Sequence, residues 1–317
     1  DLVRSRGLGD VYKRQDQGHG AKGGAVKIEL VEDARASIGE SPLWVPQEET
    51  LYWADIKAPC LFARKLTDDS QRRWVLPADI GGFALDGRGR ALVALRTGLH
   101  WLSLDTGRLA LAAPAPFDPA LIRFNESGCD STGRFWVGVM TDPLEGRQTD
   151  RKGALYSYKT AEGLRAYPDF AEITNSMAWS ADEQSMYLSH SEERVIYRYL
   201  YDREIGALGE RRVFARQPGP GIPDGAAMDE EGHLWCANHG GFCLHRYAPD
   251  GALAATIALP VSQPTKCCFA GKALEWLYIT SAREGLDDAA LAREPQAGGL
   301  FRLRPGPRGL ERHWRVR

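Results

Sequence analysis

Six positions of the 317-residue chain share one register. Glu40, Gly81, Asn125, Asn175, Asp224 and Thr265 each stand four residues before an apolar position, in order Trp44, Leu85, Cys129, Trp179, Met228 and Phe269. Four of these six positions carry carboxylate or amide oxygens. A glutamate, an aspartate and two asparagines form an oxygen-only set, which suits a hard divalent cation better than a soft one. Ca²⁺ fits that ligand type best; Mg²⁺, Mn²⁺, Zn²⁺ and Fe²⁺ stay compatible with it. Asp and Asn also serve as ordinary turn caps, so one such residue would carry no weight. Four in one register do.

Other chemistries find little support. The chain has no G-x-S-x-G nucleophile elbow and no H-E-x-x-H zinc pattern. His100, His233 and His245 lie in or beside apolar runs and read as core or surface residues. The six cysteines are scattered with no C-x-x-C pair, several inside apolar runs where Cys acts as a small hydrophobe, as in a reduced cytoplasmic protein. Asn125-Glu126-Ser127 fits the glycosylation triplet, which is common by chance. A net charge of −2 with 26% charged residues points to neither nucleic acid nor an anionic membrane as partner. No apolar stretch reaches the length of a membrane span.

The elements that must position the oxygen set recur with it. ESPLWVPQEETLYWA (40–54), GGFALDGRGRALVA (81–94), NESGCDSTGRFWVG (125–138), NSMAWSADEQSMYLS (175–189), GIPDGAAMDEEGHLWCAN (221–238) and TKCCFAGKALEWLYIT (265–280) each read as strand, polar turn, strand. The units repeat every 40 to 50 residues or so, the period of four-stranded propeller blades. No unit shows helical periodicity over ten or more residues. The sequence therefore predicts an all-β, six-bladed propeller over residues 26–317, with the shared register as a ring around the central channel. The tryptophans at 44, 136, 179, 235 and 276 are expected in the blade core.

Residues 1–25 fall outside the repeat, resemble an adaptor sequence, and are set aside as non-native or disordered. Residues 26–33 alternate as a strand, and late strands are expected at 299–303 and 312–316. Pairing the first with the last would close the ring and remove exposed edges. The polar stretch 141–153 reads as a loop above a blade, and 284–298 as a rim with one short helical turn.

Six pieces of the chain, spread over residues 26–303, resemble the senescence marker protein, regucalcin and gluconolactonase family. They are IGESPLW (38–44), RFNESGCDSTGRFWVGVM (123–140), GALYSY (153–158), ITNSMAWSAD (173–182), GIPDGAAMDEEGHLWCA (221–237) and PTKCCFAGKALEWLYITSAR (264–283). The resemblance implies a lactonase with one divalent metal in the channel. It places Glu40, Asn175 and Asp224 as metal ligands, and Arg123 and Asn125 as residues that contact the sugar. Departures from the family pattern are Glu126-Ser127-Gly128 for the usual Asp-Gly, Ser176 for a frequent Gly, His190 for an acidic residue and His239 for an aromatic.

Such a metal would polarise the lactone carbonyl. Asp224 is the first candidate for the base that activates water, with activation on the metal as the alternative. The expected function is metal-dependent hydrolysis of an aldonolactone such as gluconolactone, xylonolactone or arabinolactone by a cytoplasmic monomer or weak dimer. The alternative is a non-catalytic calcium- or sugar-acid-binding propeller like regucalcin.

Overall fold

The computed structural model describes residues 26–144 and 153–317. The segment 1–25, and residues 145–152 of the loop expected at 141–153, lie outside the described residues. Six antiparallel four-stranded sheets follow one another around an axis. Blade 1 is β2 (Gly39–Val45), β3 (Thr50–Asp55), β4 (Cys60–Lys65) and β5 (Gln71–Val75), and blade 2 is β6 (Ile80–Leu85), β7 (Arg90–Leu95), β8 (Gly98–Ser103) and β9 (Leu109–Pro114). Blade 3 is β10 (Ile122–Cys129), β11 (Phe135–Thr141), β12 (Gly153–Lys159) and β13 (Gly163–Phe170), and blade 4 is β14 (Thr174–Trp179), β15 (Ser185–His190), β16 (Val195–Asp202) and β17 (Ala207–Arg216). Blade 5 is β18 (Ile222–Met228), β19 (Leu234–His239), β20 (Cys243–Tyr247) and β21 (Leu253–Ala258). Blade 6 is β22 (Pro264–Ala270), β23 (Trp276–Ser281) and β24 (Leu300–Leu303), completed by β1 (Glu29–Glu32).

The β1–β24 pairing is the closure expected from the sequence. Leu30 lies opposite Phe301, and Glu29 pairs with Arg302 at 2.9 Å. On the channel side, the Thr265 hydroxyl donates to the Gly39 carbonyl at 2.5 Å, tying β22 of the last blade to β2 of the first.

Burial falls from the axis outward, and this explains the strand compositions. The inner strands β2, β10 and β22 are buried at every position, whereas β5 (QRRWV) buries only Trp74. The outer strand β17 (ALGERRVFAR) is largely exposed and rich in charge, which discourages edge-to-edge pairing. Between blades the inner and middle strands interdigitate; Leu43, Tyr52, Phe83 and Val93 share one such core. Trp44, Trp136 and Trp235 are buried as expected, while Trp179 and Trp276 are half-buried. All six cysteines are buried free thiols.

The acidic turns of the repeat have a common construction. Asp86, Asp130 and Asp229 each accept two turn amides through Oδ1, from residues two and four further on. Gly133 and Gly232 supply the left-handed backbone that this tight turn requires.

The tail differs from the expectation of a strand at 312–316. Only Arg315 forms a bridge, with Leu85. The backbone spreads its hydrogen bonds over several blades: Gly309 bridges Asp229, Val316 bonds Leu85 and Arg317 bonds Gly133. No single sheet edge receives it. Trp314 and Val316 instead insert into interblade cores. The rim 284–298 does contain the short helical turn, α1 (Asp288–Arg293), capped by the Asp287 side chain. Among the described residues no helix is long and apolar enough to cross a membrane.

Candidate functional site in the central channel

All six inner strands break register at the shared position, between Glu40 and Leu43, Ile80 and Gly82, Phe124 and Ser127, Asn175 and Ala178, Pro223 and Ala226, and Pro264 and Lys266. A bulge adds a residue to one strand and re-aims the side chains there. In β2 and β14 the residue after the oxygen ligand candidate is left-handed, with φ of 54° at Ser41 and 56° at Ser176. That conformation is unusual for a side chain larger than Gly. The strain therefore sits next to Glu40 and Asn175, a frequent place for it at functional sites.

Arg123, Asn125 and Asn175 form one hydrogen-bonded chain. Arg123 Nη1 donates to Asn125 Oδ1 at 2.8 Å, and Asn125 Nδ2 donates to Asn175 Oδ1 at 2.8 Å. Asn175 Nδ2 donates to Ser191 Oγ at 3.1 Å, and that hydroxyl donates to the Pro223 carbonyl beside Asp224 at 2.7 Å. Ser176 Oγ donates to the Asp224 carbonyl at 2.6 Å. Blades 3, 4 and 5 are thus pinned together at the ring.

The Glu40 carboxylate acts on Asp224 within the ring. Burial, then the neighbouring Glu126 carboxylate, push the Glu40 carboxyl up to about 7 against the pull of Lys266. Burial, then the Glu40 and Glu126 carboxylates, hold Asp224 well above the ordinary carboxylate range. Two buried carboxyls that resist ionisation, in one ring with the Asn175 amide, are a donor set that a hard cation would satisfy. Ser41 Oγ and Glu126 Oε2 are also buried without a hydrogen-bond partner. On these grounds the residues fit a divalent ion.

Sequence reasoning missed the layer one residue further along the inner strands. There stand Ser41, Gly82, Glu126, Ser176, Gly225 and Lys266. Lys266 Nζ reaches Glu126 Oε1 at 2.6 Å, with both side chains fully buried, and the Ser127 carbonyl at 3.1 Å. Inner strands neighbour one another in the order β2, β6, β10, β14, β18, β22, so β22 and β10 face each other across the axis. The ion pair therefore bars the channel. Gly82 and Gly225 leave room for it: a Cβ on Gly225 would overlap the Lys266 stem, and one on Gly82 would overlap Ser127. The signal was a lysine inside the apolar run PTKCCFA, since an unpaired Lys is almost never fully buried.

Also missed was the support behind Arg123. Its Nε donates to Asp142 Oδ2 at 2.9 Å, and Lys57 and Arg96 reach the same oxygen at 2.5 and 2.6 Å. Lys57 and Arg96 also pair with Asp79, at 3.0 and 2.7 Å. Burial raises the Asp142 carboxyl, but the Lys57, Arg123 and Arg96 cations outweigh it and hold the group low.

Two other features stand apart from the ring. A cavity of about 290 Å³ at the other end of the inner strands is lined by Met177, Trp179, Met228, Phe269 and the tail 310–313, and no ring residue lines it. Asp229, Glu231 and His233 bring ligand atoms within 4.8 Å of one another. Arg246 Nη2 already lies 2.6 Å from both carboxylates, so a cation is in place there.

Comparison with known proteins agrees with the architecture. Residues 38–283 match the family model described as SMP-30/Gluconolactonase/LRE-like region. The chain is 37% identical over 271 residues to the 6-deoxy-6-sulfogluconolactonase of Pseudomonas putida, covering 84% of this chain and 91% of that one. It is 32% identical over 282 residues to regucalcin of Gallus gallus, covering 88% and 94%. The solved structure of the calcium-binding protein regucalcin from Agrobacterium tumefaciens superposes with a TM-score of 0.84 at 27% identity, covering 92% and 97%. The six-bladed chain belongs to the SMP-30/gluconolactonase/LRE-like family.

Proposed function

We propose that the chain hydrolyses a sugar lactone to the aldonic acid in a metal-dependent reaction. The observation that carries this reading is the ring itself: two buried, mutually repelling carboxyls and an amide oxygen, with a buried arginine hydrogen-bonded into the same chain. Glu40, Asn175 and Asp224 would hold one divalent ion, Ca²⁺ by ligand type. Such an ion supplies Lewis-acid polarisation of the lactone carbonyl when bound.

The protein residues then have defined tasks. Arg123 and Asn125 orient the sugar through its hydroxyls, the planar guanidinium being fixed in advance by Asp142. Water adds to the carbonyl carbon and passes its proton to the ionised Asp224 carboxylate, the first candidate for the base. The bond from that carbon to the ring oxygen breaks, and the ring oxygen takes the proton that Asp224 received. Glu126 is an unsuitable base because Lys266 holds it.

The test is acid release from chelator-stripped protein, read with a pH indicator. The panel is glucono-, xylono-, arabino- and galactonolactone together with 6-deoxy-6-sulfogluconolactone, with each divalent metal added back. Rates above the spontaneous reaction that need metal and vanish in Asp224→Ala and Glu40→Ala support the reading. The calcium-binding regucalcin of Agrobacterium tumefaciens supports a second reading, a calcium-binding propeller. Metal binding by calorimetry with no acceleration of any lactone would select it.

A further inference from the structure

The Lys266–Glu126 pair invites a reading beyond structural support. Three carboxylates, those of Glu40, Glu126 and Asp224, influence one another in the closed channel, and Lys266 acts on Glu40 and Asp224 as well. With all four groups charged, the set carries two uncompensated negative charges, the charge of one divalent ion. Arg123 belongs to a separate cluster with Lys57 and Arg96 around Asp79 and Asp142, and it acts on Glu40 less than Glu126 or Lys266 does. We propose that Lys266 is a tethered counter-ion that removes Glu126 from the metal site. The site is thereby restricted to a single divalent ion on Glu40, Asn175 and Asp224.

Geometry supports this in three ways. The ammonium lies 2.6 Å from Glu126 Oε1 and so takes up a ligand position of that carboxylate. The other oxygen, Glu126 Oε2, is buried and unpartnered, so the carboxylate has ligand capacity that nothing uses. The lysine is fastened from blade 6 by the Ser127 carbonyl of blade 3, at 3.1 Å. That same carbonyl accepts Arg312 Nη2 of the tail at 2.7 Å, so its position is fixed from both ends of the channel.

This inference rests on the metal site proposed above, and its test separates the two. Ca²⁺ and Mn²⁺ are titrated by calorimetry into chelator-stripped full-length chain, with stoichiometry read by native mass spectrometry. The variants are Lys266→Met, Glu126→Gln and the double substitution, each with its fold checked by circular dichroism. Wild type is expected to bind one ion, abolished in Asp224→Ala. Lys266→Met should bind a second ion, or one ion at least about tenfold more tightly; Glu126→Gln, with its ammonium uncompensated, should bind at least about tenfold more weakly. The double variant, having lost both charges, should return close to wild type. Should Lys266→Met fail to fold, the contrast between Glu126→Gln and the double variant decides. Equal affinity in wild type, Glu126→Gln and the double variant overturns the role of Lys266 alone. No ion bound by the wild-type chain overturns the site and this inference together.

Discussion

Asn125 and Asn175 meet amide to amide at 2.8 Å, joining blades 3 and 4 at the level of Glu40 and Asp224. The contact orients both side chains. Asn175 donates through Nδ2 to Ser191 and turns its Oδ1 toward Asn125, leaving that oxygen a second lone pair. Ser191 is itself buried and held by the Pro223 carbonyl at 2.7 Å. Loss of its hydroxyl frees the Asn175 amide to rotate. Ser191→Ala should lower divalent-metal affinity about 10- to 100-fold, as loss of a ligand's supporting partner commonly does. Calorimetry measures this. Unchanged affinity would show that Asn175 needs no such support.

The Glu40 carboxyl gives a pH dependence of definite sign. Burial and then Glu126 raise it to about 7 in the metal-free chain, from 4.5. Between those values the folded state keeps a proton that the unfolded state has released. Stability is therefore present at the acid end of the window and lost as pH rises through 7, by up to about 3 kcal/mol. Tm of chelator-stripped protein should fall between pH 5 and 8, and saturating divalent metal should remove the fall because it requires the ionised form. Glu40→Gln should flatten the metal-free profile. The same slope in both proteins would contradict the assignment.

Asp142 controls Arg123 from outside the ring. It accepts Arg123 Nε at 2.9 Å while Lys57 and Arg96 anchor it. Asp142→Asn should raise KM for the lactone with a smaller change in kcat, if Arg123 binds ground state and transition state alike. Because the substitution leaves three cations beside one remaining carboxylate, that loss should lessen at high salt. A fall in kcat at constant KM would place the Arg123 contact in the transition state instead.

How far the sequence disclosed this molecule depends on the kind of regularity involved. The blades were legible because strand, turn and strand recur at one spacing, with Asp86, Asp130 and Asp229 rebuilding the same turn. Glu40, Asn125, Asn175 and Asp224 were legible for the same reason, since a ring is a register read along the chain. Lys266 and Glu126 escaped because their partnership spans the channel between blades with no sequential relation. Asp142 and Lys57 lie in loops outside the repeat, and the tail bonds to several blades at once, so neither follows a strand period.

The two left-handed serines offer a contrast that isolates backbone strain. Ser41 and Ser176 have nearly the same φ, 54° and 56°, and both are buried. Left-handed backbone costs an L-residue about 1–2 kcal/mol, and glycine pays none of it, though it loses about 0.5–1 kcal/mol through its freer unfolded chain. The side chains differ. Ser41 Oγ is buried without a partner, whereas Ser176 Oγ bonds the Asp224 carbonyl at 2.6 Å. Ser41→Gly therefore removes strain and an unsatisfied hydroxyl, and should stabilise the metal-free chain by about 1–2 kcal/mol. Ser176→Gly trades strain for a hydrogen bond and should come out near zero. Urea unfolding of the two variants beside wild type measures the difference. Equal stabilisation by both would mean that the Ser176 bond contributes nothing. Destabilisation by Ser41→Gly would mean that its hydroxyl has a partner, of which water in the channel is the simplest.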